Sequence, residues 1–267
     1  MKQPNPQSPF SADGRFAPVV GRFAPITLDG MDAIRLMNRI DTKYLTDSAT
    51  LEKLLEAAAS LGYRVLETDG GRIQHYRSMY YDTPGLQMYL DHHNRRLTRQ
   101  KLRIRSYDGI LTFLELKKKN NHGRTKKKRM EIPVERYGQP VLDAEARAWL
   151  DGRLKYPAAL LRPALETVFS RITLVDAQMT ERSTIDFSLR FQNLRNGRSA
   201  DLGALAVIEV KQDGQRPSPL RDLLLHLRVK PFRISKYCIG TALTDTEIRA
   251  GRFKQKLILI EKLKSQI

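Results

Sequence analysis

The stretch from Arg99 to Lys119, RQKLRIRSYDGILTFLELKKK, constrains the fold of this chain more than any other. Two runs of alternating residue type flank Asp108-Gly109, a dipeptide that favours a tight hairpin turn. Successive side chains of a strand point to opposite faces. Arg99, Lys101, Arg103, Arg105 and Tyr107 therefore share one face of the first strand, and Leu102 and Ile104 the other. In the second, Phe113, Glu115, Lys117 and Lys119 share one face, while Leu114 and Leu116 share the other. Like charges opposed across a sheet repel, so a face this basic predicts a polyanion lying against it.

The same division recurs along the chain. Arg39 to Leu45 reads as a strand with Arg39, Asp41 and Lys43 on one face. Asp47 or Ser48 can cap a helix whose apolar positions Leu51, Leu54, Leu55, Ala58 and Leu61 recur at helical spacing up to Gly62. Further strands are expected at Ile73–Asp82 and at about Thr125–Val134, the latter with Lys127, Arg129 and Glu131 opposite Met130 and Ile132. Residues 141–163 read as helix in pieces, broken by Pro157 and Pro163. Leu165–Val175 fits a strand or a helix by pattern alone, and its β-branched residues favour strand. Glu181–Phe191 sets Arg182, Thr184, Asp186, Ser188 and Arg190 against Ile185, Phe187 and Leu189, and Leu205–Lys211 places Glu209 and Lys211 together. Pro219–Leu227 reads as a helix, and the capping-box pattern at Thr244–Glu247 is expected to open a C-terminal basic helix over 246–267.

An open sheet would leave these charged faces in water. The pattern therefore predicts an α+β fold, a closed antiparallel β-barrel of about eight strands with a basic interior, flanked by helices on its apolar outside. Residues 1–25, rich in Pro and Gly and carrying the repeat Gly14-Arg15-Phe16-Ala17-Pro18 and Gly21-Arg22-Phe23-Ala24-Pro25, are expected to form an extended arm, with Phe16 and Phe23 able to dock.

Composition agrees. Lys plus Arg number 47 against 29 Asp plus Glu, a net charge of +18, which calls for an anionic partner. A single cysteine, Cys238, excludes a disulfide framework or a Cys-based zinc site within one chain. No apolar run reaches the roughly 18–20 residues of a transmembrane helix and no apolar signal segment follows Lys2, so a cytoplasmic protein is expected. No glycine-rich phosphate loop, dinucleotide fingerprint or nucleophile elbow occurs, and the five histidines show no metal spacing. Any phosphate must be held by side chains. Glu115, Glu131, Asp186 and Glu209 are candidate ligands for a hard cation or ion-pair partners that relieve repulsion. Few aromatics interleave with the basic face apart from Tyr107 and Phe113, so no specific nucleic acid is expected.

The ordered set Asp41-Thr42-Lys43-Tyr44, Tyr80-Tyr81-Asp82-Thr83-Pro84, Lys101-x-Arg103-x-Arg105, Leu114-Glu115-Leu116-Lys117, Thr184-Ile185-Asp186, Ile208-Glu209-Val210-Lys211 and Ser235-Lys236-Tyr237-Cys238 resembles the VTC domain. That domain is the catalytic domain of vacuolar transporter chaperone polyphosphate polymerases, within the CYTH-like triphosphate tunnel metalloenzymes. The resemblance implies a tunnel domain over 26–245 that moves the γ-phosphate of ATP onto inorganic polyphosphate with Mn²⁺ or Mg²⁺. Lys43, Arg99, Lys101, Arg103, Arg105, Lys117, Lys127, Arg129, Arg171, Arg182, Lys211 and Lys236 would hold phosphates. Arg103, Arg105, Lys117 and Lys236 would sit closest to the chemistry, and Glu209, with Glu115, would hold metal. The family's hydrolases often carry E-x-E-x-K where this chain reads Arg39-Ile40-Asp41-Thr42-Lys43. The loss of the first acid favours a polymerase-like reading over a triphosphatase in which Asp41 or Glu115 positions water; a non-catalytic binder of polyphosphate or nucleotide is the remaining alternative.

Overall fold

The computed structural model describes residues 13–32, 39–69, 71–139, 142–214 and 216–266. Its first elements are α1 (Asp13–Val20), β1 (Ala24–Ile26), α2 (Leu28–Asp32), β2 (Arg39–Asp47), α3 (Ser48–Ser60) and β3 (Arg64–Leu66). The described part of the expected N-terminal arm thus includes α1 and β1. Both copies of the repeat serve as anchors, because Phe16 and Phe23 sink into one core with Leu51, Leu54 and Leu55 of α3. Arg72 holds the turn between them, donating to the carbonyls of Gly21 (2.9 Å) and Phe23 (3.0 Å). Asp47 caps α3 through Thr50 N–H at 2.8 Å.

Next come β4 (Gln74–Asp82), α4 (Gln87–His93), β5 (Arg99–Tyr107), β6 (Leu111–Lys119), β7 (Thr125–Ile132) and α5 (Ala144–Leu150). The β5–β6 hairpin forms as its sequence dictates, with positive φ at Asp108 (50°) and Gly109 (72°). The chain continues through β8 (Arg162–Val175), β9 (Glu181–Asn193), β10 (Ser199–Asp201), β11 (Leu205–Asp213), α6 (Pro219–His226), α7 (Lys236–Thr244) and α8 (Lys254–Lys264).

One sheet takes in all eleven strands, with β2-β11-β9-β8-β4-β5-β6-β7 as its main path. Every pair along that path is antiparallel. The expected barrel does not close: among the described residues β2 and β7 do not pair. The outer edge of β2 is occupied by another segment, since Phe232 N–H donates to Lys43 O at 2.6 Å and Tyr44 bridges Pro231. β7 remains an exposed edge over most of its length. The sheet nevertheless curls strongly. Its convex face is apolar and covered in two places, by α1, α3 and α6 over one half and by α5 over the other.

At one end of the concave face lies α7, with Tyr237, Cys238 and Ile239 buried against Leu45, Leu165, Phe191 and Val207. Ser235 caps it through Cys238 N–H. Thr244, expected to begin the C-terminal helix, instead ends α7 by donating to Gly240 O at 2.8 Å, and α8 starts only at Lys254. A bulge in β9 at Ser188 (φ 52°) shifts the pairing with β8, so Arg190 turns out to solvent and Leu189 and Phe191 turn under α7. The expectation that Arg190 shares the charged face fails for that reason.

Gly240 sets how closely α7 can approach. A Cβ there would lie 2.4 Å from Phe191 Cδ1 and 2.8 Å from Leu165 Cδ2. Gly240→Ala is expected to destabilise the protein by about 1–3 kcal/mol through overpacking. A denaturant midpoint equal to that of wild type would show that α7 is not wedged against the sheet.

Candidate phosphate-binding site

The concave face is where the period-two cations meet. Register sets Lys43 opposite Glu209 and Lys211 opposite Arg182 and Asp41. It also sets Arg171 opposite Asp186, Arg103 opposite Glu115, and Glu115 opposite Arg129. Arg103 and Arg105 are each 8% exposed and Glu115 is fully buried, which an open flat sheet face could not achieve. Lys117 on β6 also feels the Glu209 carboxylate on β11, five strands away along the path. The curl has brought the two halves of the face toward one another, forming a trough.

Three carboxylates organise the cations. Glu115 Oε2 accepts from Arg103 Nε (2.7 Å) and Nη2 (2.5 Å), and its other oxygen pairs with Lys127. Asp186 takes Arg171 in a fork (2.5 and 2.8 Å) and also Lys236, the first residue of α7. Glu209 bridges Lys43 (2.6 Å) and Lys211 (3.1 Å). Burial opposes ionisation of all three, but the adjoining cations outweigh it and hold each carboxyl below its ordinary range. Arg105 differs. Its Nε donates to Ser78 Oγ at 3.0 Å, and among the described residues no carboxylate forms an ion pair with it, Glu115 acting on it only through space.

The floor beneath the guanidinium groups is aromatic, which the strand pattern could have revealed, because Tyr76, Ser78 and Tyr80 alternate on β4 and face β5. Arg171 lies 4.6 Å from the Tyr76 ring centroid, and Arg105 lies 5.4 Å from the same ring. Lys236 stands 4.4 Å over Phe169, and Arg129 stands 4.6 Å over Phe113. Tyr80 OH accepts from Arg103 Nη1 at 3.1 Å, and its ring stacks on Tyr237 of α7. Asp82 ties this end together, accepting from Tyr237 OH (2.5 Å) and from the N–H groups of Met88 and Tyr89 in α4. Tyr76, Ser78, Tyr80, Phe169 and Asp82 are thus site-forming residues that charge alternation alone passes over.

Of the expected phosphate-holding residues, Lys43, Arg103, Arg105, Lys117, Arg171, Lys211 and Lys236 lie in the trough. Arg182 lies beside Lys211 at its far end. Lys127 and Arg129 line the β7 edge. Lys101 turns toward the base of α7, its Nζ donating to Ser235 Oγ at 2.8 Å. Arg99 lies outside the trough, its guanidinium held by Arg96 O.

Among the described residues no three metal-ligating side chains converge. Glu209, 22% exposed and facing the trough, can offer a carboxylate oxygen to a hard cation whose other ligands are phosphate oxygens and water. Glu115 does not fit that role, because it is sealed beneath Arg103 and Lys127.

A family model, the VTC domain, matches residues 38–244. The chain belongs to the VTC domain family. No curated protein matches it in sequence. Among solved structures, this VTC domain is similar to a Bacillus halodurans protein named as a candidate adenylate cyclase. The two share 16% identity and a TM-score of 0.47, over 74% of this chain and 94% of that one. It is also similar to an inorganic triphosphatase (15% identity, TM-score 0.29, 68% of this chain and 84% of that one). The S. pombe RNA triphosphatase Pct1 matches at 9% identity and TM-score 0.29, over 97% of this chain and 94% of that one. No helix among the described residues is long and apolar enough to cross a membrane.

Crowding leaves two lysines of the VTC domain poised to titrate. Burial, then Arg103 and Arg105, push Lys117 down to about 6, although its side chain is exposed to the trough and water screens part of the effect. Burial, then Arg171 and Lys43, push Lys211 down to about 8. A phosphate arriving beside them raises both, so tripolyphosphate binding at about pH 7.5 is expected to take up protons. Calorimetry in two buffers of different ionisation enthalpy reads this directly, and the uptake should shrink in Lys211→Met. Equal uptake in wild type and Lys211→Met would remove Lys211 from the titration. In the free protein the sign is reversed: charged Lys211 opposes folding below about 8, and stability recovers as pH rises from there toward its ordinary 10.5.

Proposed function

We propose that this VTC domain transfers phosphoryl groups in the trough, extending inorganic polyphosphate with the γ-phosphate of ATP. The observation that carries this reading is Arg105, a buried guanidinium on the trough wall with no ion-pair partner among the described residues, between Arg103 and the Tyr76 floor. A guanidinium without an ion-pair partner in such a place is matched by an anionic substrate. The resemblance to polyphosphate polymerases seen in the sequence gives that substrate its class.

Phosphoryl transfer needs in-line positioning and neutralisation of charge on the phosphates, and little covalent help. Arg103 and Arg105 stand two residues apart on β5 and can grip successive phosphates through planar forks. Lys117 stands beside them on the neighbouring β6, and Lys211, Lys43 and Lys236 approach from the opposite side of the curl as point charges. A terminal oxygen of the polyphosphate chain attacks the γ-phosphorus, the bond to the β,γ-bridging oxygen breaks, and ADP leaves. The attacking oxygen is already anionic, so no general base is required. A divalent cation on Glu209, when bound, would neutralise charge on the β and γ oxygens. Engagement of Glu115 by Arg103 and Lys127 argues against its positioning water, which leaves Asp41, opposite Lys211, as the carboxylate a hydrolytic reading would need.

The test is a time course with ATP and Mn²⁺ or Mg²⁺, separating ADP, free phosphate and polyphosphate. Polymer appearing in step with ADP is the expected result. Free phosphate without polymer would make the VTC domain a triphosphatase, and ATP bound but intact would make it a binding module.

A further inference from the structure

Eight of the thirteen residues from Lys117 to Arg129 are Lys or Arg and none is acidic. They form the β6–β7 hairpin, and its charge lies on both faces. Register sets Lys117 opposite Lys127 on the trough side and Lys118 opposite Lys126 on the reverse, with Lys128 next along that reverse face. The trough-side pair is relieved by Glu115, which binds Lys127. On the reverse face Lys118, Lys126 and Lys128 are all exposed, and among the described residues no carboxylate reaches them.

Directly opposed lysines destabilise a strand pair, so their presence on a face remote from the trough needs a reason. An edge strand gains protection against pairing with other chains from a lysine or two. That accounts for lysines on β7. It does not account for Lys118, which lies on the inner neighbour β6 and faces Lys126 head-on.

We propose that the reverse face of the β6–β7 hairpin is a second polyanion-binding surface, over which polyphosphate too long for the trough passes. The inference rests on the proposed function of the trough. Among the described residues β7 is an edge strand that does not pair with β2, so none of them forms a wall between the Lys117/Lys127 pair and the Lys118/Lys126 pair. A chain leaving the trough turns over a single strand to meet the reverse face, where Lys126 and Lys128 follow one another at strand spacing. The chemistry fits a bare phosphate polymer. From Lys117 to Arg129 there is no Phe, Tyr or Trp on which bases could stack, and no apolar side chain to enter a lipid surface.

The test uses the full chain with Lys118→Ser, Lys126→Ser and Lys128→Ser combined. Tripolyphosphate, held within the trough, is expected to bind within about twofold of wild type. Long-chain polyphosphate is expected to lose roughly tenfold or more in affinity, with a shallower dependence on salt, because three ionic contacts are gone. Thermal stability should hold or rise, since opposed charges have been removed. Unchanged affinity for the long chain would overturn the proposal and leave the lysines as guards of the edge. Phosphatidylserine vesicles that bind wild type but not the variant, with polyphosphate affinity unaltered, would overturn it in favour of a membrane surface. Failure of wild type to bind tripolyphosphate would instead overturn the reading of the trough itself.

Discussion

Glu209→Gln is expected to lower turnover of ATP by about 100-fold or more while tripolyphosphate binds as tightly as in wild type, or tighter. The side chain keeps its shape and loses its charge. Lys43 and Lys211, now held by Glu209 at 2.6 and 3.1 Å, would be left facing an incoming phosphate without competition, so anion binding should not suffer. Turnover should suffer, because a partly exposed carboxylate facing the trough, held by lysines that a phosphate can draw away, is gone. Affinity for tripolyphosphate should also lose its dependence on Mn²⁺ or Mg²⁺. The measurement is a pair of titrations with and without the cation, set beside an ADP-release rate. A variant that turns over normally would show that Glu209 only balances charge, and one that loses binding as well would show that it shapes the trough.

The hairpin at Arg99–Lys119 and the division of β2, β5, β6, β7 and β11 into an apolar and a charged face were legible in the sequence, because both are set by period-two patterns within one or two strands. Failure of the barrel to close was not. Closure depends on what occupies the outer edge of β2, and Pro231 and Phe232, nearly two hundred residues downstream, take it. The missed helix α7 has a physical explanation too. Tyr237, Cys238, Ile239, Gly240, Thr241 and Ala242 are all buried, so the segment has no polar stripe to give a helical period. Arg190 was misplaced because a bulge at Ser188 breaks the alternation midway through β9, and no Gly or Pro announces it.

The candidate site divides in the same way. Its cations could be named from spacing. Their pairing could not, because it depends on register and on tertiary contact: Arg171 meets Asp186 only through the register of β8 on β9, and Asp186 meets Lys236 across fifty residues. Glu115 looked like Glu209 in the sequence, an acid amid bases at strand spacing. The structure separates them by burial alone, one sealed beneath its partners and the other open to the trough.

Asp186→Asn is expected to produce the largest loss of stability, about 3–5 kcal/mol, because it strips the counter-charge from two enclosed cations at once. Arg171 and Lys236 keep only 14% of their side chains exposed and cannot turn to water without lifting α7 from the sheet. For a domain of this size the melting temperature should fall by roughly 10 °C. The loss should also depend on pH with a definite sign. Burial opposes ionisation of Asp186, yet Arg171 and Lys236 hold its carboxyl below the ordinary 3.8. Its contribution to stability is therefore present above that value and disappears as pH falls through the lower folded-state value, so the gap between wild type and variant should close in acid. Tripolyphosphate supplies the missing negative charge, and should raise the melting temperature of Asp186→Asn by more than it raises that of wild type. A variant as stable as wild type would mean that Arg171 and Lys236 are already solvated in the free protein. An unstable variant with an ordinary response to tripolyphosphate would mean that these two cations lie outside the reach of bound phosphate, and would confine the site to Arg103, Arg105 and Lys117.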